Sequence, residues 1–154
     1  MDSELDGRTL RLRNLCEEAV TRDAWKPRDG LTFCNLAAHW FAEHYGFHGL
    51  KGKLANDQFT TLSGSNEWEK IDTPEAIKQA KTGALVFAVK QYDEHGHIAT
   101  CYTGAESYSG TWAKRIPMIA NVGKNNGIMP CSQGFPVRDG EPYYFLLKSS
   151  RLNA

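Results

Sequence analysis

Residues 34–46 read CNLAAHWFAEHYG, and they are the clearest helical signal in the chain. Apolar side chains recur in this stretch at the spacing of one helix face, namely at Cys34, Ala37, Ala38, Phe41 and Tyr45. Gly46 follows them, and glycine readily adopts the left-handed conformation in which many helices end. The stretch therefore predicts a helix that begins at Cys34 and packs this face against the rest of the domain.

Three further helices are predicted on the N-terminal side of residue 84. The first spans 5–21 and the second spans 54–62, each with a stripe of apolar residues. For the third, Thr73 is predicted as the N-cap, Pro74 as the first helical residue and Gly83 as the end. The first half of the chain is therefore predicted to be mainly helical.

After Gly83 the pattern changes to short segments rich in Val, Ile, Phe and Tyr, which favour strands. Four strands are predicted, over 84–90, 97–103, 117–122 and 143–148. Turn-forming residues separate them at 93–96, 104–110 and 124–127. Helices followed by antiparallel strands predict an α+β domain in which the helices pack on one face of a small antiparallel sheet.

The composition is that of an ordinary globular domain. The chain has 154 residues, of which 41% are hydrophobic and 23% are charged, and no repeat or linker divides it, so we expect a single domain over 1–154. Lys and Arg number 18, as do Asp and Glu, which gives a formal net charge of zero. No overall field would attract nucleic acid or an acidic membrane surface, and neither is expected as a partner.

No segment of the sequence has the pattern of a membrane span or an export signal. The longest apolar run, residues 83–89, is far shorter than the roughly 20 residues of a spanning helix, so we expect a soluble protein with no membrane insertion. Residues 1–13 mix acidic and basic side chains and contain no apolar stretch of signal-peptide length. The protein is thus expected to be made in the cytoplasm without a signal peptide, and any action outside needs another route.

The four cysteines, Cys16, Cys34, Cys101 and Cys131, are far apart in the sequence and form no CxxC motif. Zinc ribbons and small disulfide scaffolds depend on close cysteine pairs, and a chain of this length does not need such covalent links. Each cysteine is therefore considered separately. The sequence leaves the disulfide state of Cys16, Cys101 and Cys131 open.

Cys34 is the candidate nucleophile because it lies in the first turn of its predicted helix. The unpaired backbone N–H groups and the positive end of the helix dipole favour the thiolate there, and the thiolate is the reactive form of cysteine. The alternative is that Cys34 is a small buried apolar residue, since free cysteine is among the most buried residue types. Position alone does not decide between the two interpretations.

His97 is the candidate general base. In a strand over 97–103 it shares a face with Ala99, and this small residue is expected to let the helix of Cys34 approach closely. Gly96 allows tight backbone contact at the start of the strand. The alternative is that His97 is an ordinary surface histidine.

Asn121 is the candidate for orienting the imidazole, because cysteine hydrolases need a polar residue on the far nitrogen of the histidine. It interrupts an apolar strand, and a buried amide without a partner costs about 1–3 kcal/mol. The alternative is that Asn121 bonds to the turn that follows it, since Gly123 is close behind.

Four segments in this order resemble the papain-like cell-wall cysteine peptidases of the NlpC and CHAP groups. They are Thr32-Phe33-Cys34-Asn35, the apolar strand 83–88, Gly96-His97-Ile98-Ala99-Thr100 and Ala120-Asn121-Val122-Gly123. The resemblance covers roughly residues 31–147. It implies a papain-like α+β fold in which Cys34 is the nucleophile, His97 the general base and Asn121 the orienting residue.

The same resemblance implies an activity and a place of action. It implies cleavage of amide bonds in peptidoglycan stem peptides or crosslinks through a thioester acyl-enzyme, with no cofactor and no metal, in a groove bordered by Asn35 and Asn56. The size of the chain is similar to small phage lysis enzymes and to peptidoglycan amidase effectors of type VI secretion. Such a protein would act in the periplasm or cell wall after secretion or lysis, and an effector would have a cognate immunity protein.

Trp112 is a further candidate for substrate contact. It lies in the predicted loop 108–112, and amphipathic aromatic side chains bind sugars and peptides at a low cost in conformational entropy. The alternative is that Trp112 packs under the loop as an ordinary apolar residue.

Other kinds of site are less well supported by the residues. His39 and His44 are five apart, which places them about 140° from each other around a helix, and the pair His95 and His97 has no third metal ligand nearby. The common nucleotide-binding fingerprints are absent.

Three alternative functions stay open at this point. An N-acetylmuramoyl-L-alanine amidase would use the same mechanism on a different bond. A non-catalytic module would retain the fold to bind wall peptides or another protein. A transferase would pass the thioester to an acceptor other than water.

Overall fold

An antiparallel sheet runs through the middle of the structure, a computed structural model that describes residues 3–152. Its strands in chain order are β1 (Trp68–Ile71), β2 (Val86–Lys90), β3 (His97–Ser109), β4 (Lys114–Asn121), β5 (Gly127–Pro130) and β6 (Tyr143–Leu147). The order across the sheet is β1-β6-β2-β3-β4-β5. Met1 and Asp2, which belong to the segment examined for a signal peptide, lie outside the described residues, as do Asn153 and Ala154.

The helices of the described residues are α1 (Ser3–Thr21), α2 (Cys34–His44), α3 (Ala55–Gly64), α4 (Thr73–Lys81) and the short α5 (Cys131–Gly134). The first four confirm the helices predicted from the sequence, with ends that differ by a few residues. Gly46 and Gly83 follow α2 and α4 with φ angles of 84° and 85°, the left-handed conformation expected at a helix end. The predicted α+β class, with helices packed on a small antiparallel sheet, is confirmed.

The sheet buries both of its faces, and each face has its own core. On the first face lie α1, α2 and α3, which pack against strand residues such as Phe87 and Ile98. On the second face lie α4 and α5, which pack against Val86 and Ala99 among others. The sequence pattern predicted helices on one face only; α4 covers the second face because small residues such as Ala76 let it pack closely on the strands.

Helix α4 has a different N-cap from the one predicted. The side-chain Oδ1 of Asp72 accepts a hydrogen bond from the Glu75 backbone N–H at 3.0 Å, which makes Asp72 the N-cap. Thr73 is instead the first helical residue, and its hydroxyl donates to the Glu141 carboxylate at 2.8 Å. The prediction of Thr73 was wrong because the preceding aspartate caps helices equally well and the threonine has a tertiary partner.

Strand β3 is longer than predicted. It has 13 residues and ends at Ser109, so it includes most of the segment 104–110 that was predicted as a turn. Its pairing with β4 shifts register between Cys101 and Glu106, and Gly104 inside this interval has a φ of 83°. The prediction was wrong because the glycine belongs to an irregularity within a continuing strand, not to the end of one.

The two edge strands, β1 and β5, were not predicted. Each has four residues, which is too short for an alternating pattern to be recognised in the sequence. Within residues 3–152 no helix is both long enough and apolar enough to cross a membrane.

Candidate active site

Cys34 is the first residue of α2, as predicted, and it is 8% exposed. Phe33 precedes it as the N-cap without a side-chain hydrogen bond, so no side chain caps the first turn. Burial raises the pKa of the Cys34 thiol above its usual 9.0, and hydrogen bonds to the sulfur from the backbone N–H groups of Ile98, Asn35 and Cys34 oppose this shift. The thiol is therefore protonated at neutral pH, and a base has to remove its proton before the sulfur can attack.

His97 and Asn121 are joined by a direct hydrogen bond of 2.7 Å between Nε2 and Oδ1. The other end of the same amide, Asn121 Nδ2, donates to the Asn125 carbonyl at 2.8 Å. A carbonyl can only accept, so Nδ2 must point to Asn125 and Oδ1 to the histidine, and the neutral ring must carry its proton on Nε2. This leaves Nδ1 of His97 as the nitrogen that can take a proton.

The imidazole of His97 lies in a tight and partly apolar environment. The ring of Phe135 packs against it with 4.9 Å between the ring centroids, and a Cβ on Gly123 would lie 3.1 Å from His97 Cε1. Burial lowers the pKa of His97 below its usual 6.5, and the hydrogen bond to Asn121 opposes this shift. The imidazole is therefore neutral at pH 7, which is the form a general base requires.

The helix of Cys34 packs on a different face of β3 from the one predicted. The sequence placed the helix of Cys34 on the side of Ala99, but Cys34 belongs to the first core with Ile98, whereas Ala99 belongs to the second core. The error arose because α4, not α2, uses the small side chain of Ala99 for close packing. In the described part of the chain, the Cys34 thiol reaches the backbone N–H of Ile98 and is not hydrogen-bonded to the His97 ring.

A groove of about 440 Å³ opens in front of Cys34. One wall is formed by the start of α3 and the residue before it, and the other by the connection between β2 and β3. Its lining residues are Gly30, Leu31, Thr32, Cys34, Asn35, Leu54, Ala55, Asn56, Asp57, Glu94, His95 and Gly96. Asn35 and Asn56, both predicted to border a substrate groove, are among them, and the charged lining residues Asp57 and Glu94 are acidic and exposed.

Asn35 links the first turn of α2 to the segment before α3. Its side-chain Nδ2 donates to the Lys53 carbonyl at 3.1 Å, and its own carbonyl accepts from Gln58 Nε2 at 3.0 Å. Gln58 is fully buried and also donates to the Leu50 carbonyl at 3.3 Å. The sequence analysis missed Gln58; its signal was a glutamine four residues before Leu62, on the inward face of a predicted helix.

Trp112 does not line the groove. It follows β3 in a turn and packs against the second core, on the opposite face of the sheet from Cys34. Its backbone N–H donates to the Ser109 hydroxyl at 3.1 Å. The structure thus brings Cys34, Asn35 and Asn56 to one groove and does not bring Trp112 there.

Gly134 is a second feature of the site that the sequence analysis missed. A Cβ on this residue would lie 2.7 Å from Asn121 Oδ1 and 2.5 Å from Ile119 Cδ1. The chain therefore needs a residue without a side chain where α5 passes the orienting amide. In the sequence, the signal for this contact was the glycine directly before Phe135. The ring of Phe135 packs on the imidazole of His97.

His95 lines the groove, whereas the other three cysteines and the histidines of residues 39–48 do not. All four cysteines are free and buried. His39 Nδ1 faces the Glu43 carboxylate at 3.7 Å, whereas the ring of His44 packs edge-on against Trp40 with 4.6 Å between centroids. Among residues 3–152, no group of three or more His, Cys, Asp or Glu side chains is placed to hold a metal ion.

The described residues include the chemical groups that nucleophilic catalysis by a thiol requires; Cys34 lines the groove, whereas His97 and Asn121 are not among its lining residues. The groups are a cysteine at a helix N-terminus, an imidazole with a free Nδ1, and an amide that holds the ring by its other nitrogen. No protein-family model matches the chain, and no curated protein matches it.

Proposed function

We propose that this protein hydrolyses amide bonds in peptidoglycan stem peptides or crosslinks, with Cys34 as the nucleophile. The observation that carries the proposal is the hydrogen bond of 2.7 Å between His97 Nε2 and Asn121 Oδ1. It orients the ring and assigns the free lone pair to Nδ1, which is the role of the third residue in a cysteine hydrolase. The resemblance of the Cys34, His97 and Asn121 segments to the papain-like NlpC and CHAP peptidases supplies the substrate class.

The reaction begins with proton transfer from the Cys34 thiol to Nδ1 of His97. The thiolate attacks the carbonyl carbon of the scissile amide, and the imidazolium then gives its proton to the leaving amine, so that a thioester remains on Cys34. Neutral His97 next removes a proton from water, which hydrolyses the thioester and restores the thiol. The first transfer requires Sγ and Nδ1 to come within hydrogen-bond distance, and catalytic hydrogen bonds commonly shorten when substrate binds.

The negative charge of the tetrahedral intermediate develops at the N-terminus of α2. The Cys34 backbone N–H lies at this helix end, where N–H groups and the helix dipole favour an anion. Cys34 and Asn35, the first two residues of this helix, line the groove of about 440 Å³. The chain's own residues therefore supply the nucleophile, the base and one oxyanion donor.

This proposal carries expectations about biology beyond the site. The substrate would be reached in the periplasm or cell wall, after lysis by a phage or after delivery by a secretion system of type VI. A delivered enzyme of this kind would have a cognate inhibitor protein in the producing cell. The fold would be of the papain-like type, with Cys34 on a helix and His97 on the facing strand.

The test is digestion of purified Gram-negative peptidoglycan, followed by mass spectrometry of the released fragments. Cys34→Ser should abolish release, whereas the matched variant Cys101→Ser removes a buried thiol outside the groove and should retain it. Fragment masses separate an endopeptidase from an N-acetylmuramoyl-L-alanine amidase, because the two leave different ends on the stem peptide. Equal release by wild type and Cys34→Ser would contradict the proposal.

A second candidate function is a non-catalytic module that binds wall peptides. The burial that raises the pKa of Cys34 favours it, because a thiol that stays protonated is a poor nucleophile. The two candidates differ in thiol reactivity: an enzyme's Cys34 should react with iodoacetamide much faster than Cys16, Cys101 or Cys131. Binding of stem peptides without fragment release, and with four equally slow thiols, would support the module.

A further inference from the structure

Asn56, at the start of α3, is bonded to the connection between β2 and β3 by both ends of its amide. Its Nδ2 donates to the Tyr92 carbonyl at 2.9 Å, and its Oδ1 accepts from the Tyr92 backbone N–H at 3.3 Å. The backbone carbonyl of Asn56 also accepts from Gln91 Nε2 at 3.1 Å. Three hydrogen bonds therefore join one residue of α3 to two consecutive residues of the connection.

Gly96 closes this contact from the other end of the connection. A Cβ on Gly96 would overlap Asn56 Oδ1 and would lie 3.1 Å from the Asn56 backbone nitrogen and 3.0 Å from the Lys90 carbonyl. A residue with a side chain would therefore push Asn56 away or shift the connection itself. The glycine allows the chain to pass directly over the asparagine.

The next residue after Gly96 is His97, the first residue of β3. Residues 91–96 thus lead from the Asn56 contact into the strand that carries the imidazole. Asn121 holds the ring of His97 from the side of β4. The backbone of His97 is paired with Lys90 of β2, and Gly96, whose added Cβ would meet both Asn56 and the Lys90 carbonyl, lies directly before this pair. The contact with α3 therefore adjoins the β2–β3 pairing at the residue that carries the imidazole.

We propose that Asn56, through its contact with Gly96 and Tyr92, is a positioning residue that holds the start of β3 and thereby places His97 relative to Cys34. The inference rests on the proposed function, since it assigns a role in the same site. Asn56 lines the groove in front of Cys34, as the resemblance implies, and its amide is bonded to the protein's own backbone. It acts on the reaction through His97, and not by contact with the reacting atoms.

An amide is the group that this position requires. Tyr92 presents both its carbonyl and its N–H, so the partner must donate and accept at the same time. Asn56→Asp keeps an acceptor for the N–H but places a carboxylate oxygen against the Tyr92 carbonyl. Asn56→Ala removes both bonds and vacates the space beside Gly96.

The first experiment measures hydrolysis of a soluble stem peptide by wild type, Asn56→Asp and Asn56→Ala. Misplacing a catalytic group by about 1 Å costs roughly a hundredfold in rate, so kcat should fall about tenfold to a hundredfold while KM changes little. The control variant is Leu62→Val, which weakens the buried end of α3 away from the connection and should leave kcat near wild type. A KM effect without a kcat effect would overturn the proposal and return Asn56 to substrate contact.

The second experiment is a double-mutant cycle between Asn56 and Gly96. Gly96→Ala alone should impair kcat as strongly as Asn56→Ala, because its Cβ displaces the asparagine. In the Asn56→Ala background the same substitution should cost much less, since the colliding oxygen has gone. Additive effects of the two substitutions on kcat would overturn the proposal that Asn56 acts through its contact with Gly96.

The third experiment does not depend on turnover. The imidazole signals of His97 in a proton and carbon NMR spectrum, followed from pH 5 to pH 8, should shift in Asn56→Asp and stay at the wild-type positions in Leu62→Val. Unchanged His97 signals in Asn56→Asp would overturn the proposal. If wild type hydrolyses no stem peptide but the His97 signals do shift in Asn56→Asp, the proposed function fails and the positioning role of Asn56 stands.

Discussion

His97 donates a hydrogen bond from Nε2 to Asn121 Oδ1 across 2.7 Å, at the point where β3 begins and β4 ends. The same asparagine side chain donates to the Asn125 carbonyl in the following turn, so its amide cannot reverse without losing both bonds. Both hydrogen bonds considered for Asn121 from the sequence are therefore present: it bonds to the turn, and it bonds to the histidine. The hydrogen bond to the turn fixes which end of the amide faces the histidine, so that Oδ1 accepts from His97 Nε2.

The first prediction concerns the loss of this amide. Asn121→Ala removes a buried amide and leaves the half-buried His97 Nε2–H without its partner, which should lower the free energy of unfolding by about 1–3 kcal/mol. Peptide hydrolysis should fall by about tenfold or more, because the ring loses its orientation. Urea unfolding and steady-state kinetics measure the two effects. The exposed Asn66, changed to Ala, is the control and should alter neither; equal effects at both positions would count against the assignment.

The second prediction is an acid limit to both stability and activity. The pKa of His97 is lowered in the folded protein by burial, so below the usual 6.5 the unfolded chain binds a proton more readily than the folded one. His97 therefore leaves stability unchanged above pH 6.5 and reduces it as the pH falls from 6.5 through the folded pKa. His97→Gln retains an N–H donor and does not titrate, so its free energy of unfolding should lose less on acidification than that of wild type.

The same shift predicts the pH dependence of catalysis. The base form of His97 should persist into mildly acidic solution, and the acid limb of kcat/KM should have its midpoint below pH 6.5. A midpoint above 6.5 would contradict the burial of the imidazole. Thermal unfolding and initial rates recorded over the same buffer series separate the loss of fold from the loss of base.

Patterns of local chemistry predicted the helices and most of the central strands, and tertiary contacts decided what the patterns did not. Cys34 could be placed at a helix start because apolar spacing and Gly46 define α2 without reference to the rest of the chain. The face of the sheet on which α2 packs could not be predicted, because Ala99 and Ile98 point to opposite sides of β3 and a helix could pack on either side. Because α4 packs on the side of Ala99, the helix of Cys34 packs on the side of Ile98.

The contacts of Asn56 and Gly134 were hidden for a related reason. Each depends on a close approach between segments far apart in the sequence, and a single asparagine or glycine carries no periodic signal. His97 and Asn121 could be paired only because a chemical role requires two such residues. Such a pair is thus predicted best from the chemical role that its two residues would share, and the residues that support it appear only with the structure.

The third prediction compares two glycines of opposite surroundings. Gly134→Ala places a Cβ 2.5 Å from Ile119 Cδ1 and 2.7 Å from Asn121 Oδ1, so the amide must move. Activity should fall by about tenfold or more, with a loss of stability of about 1–3 kcal/mol from the overpacked core. Gly7 lies in α1 with no atom near its added Cβ, and Gly7→Ala should raise stability by about 0.5–1 kcal/mol and leave activity unchanged. An active, stable Gly134→Ala variant would show that Asn121 tolerates displacement.

The last prediction concerns the charge of the groove. Asp57 and Glu94 both line the groove and are exposed, and no Lys or Arg is among the residues that line it. A peptide with a free amine near the scissile bond should therefore be cleaved faster than the same peptide with that amine acetylated. The ratio of the two kcat/KM values should be about 1.4-fold to fivefold for each carboxylate, since exposed charge pairs contribute about 0.2–1 kcal/mol. Asp57→Asn and Glu94→Gln should each reduce the ratio. In wild type, 0.5 M salt should also reduce it, because salt screens the charges. The control is Asp93→Asn, which lies outside the groove lining and should leave the ratio unchanged. Equal rates for the two peptides in wild type would mean that the acidic residues of the groove do not contribute to substrate selection, and that shape and hydrogen bonds determine it instead.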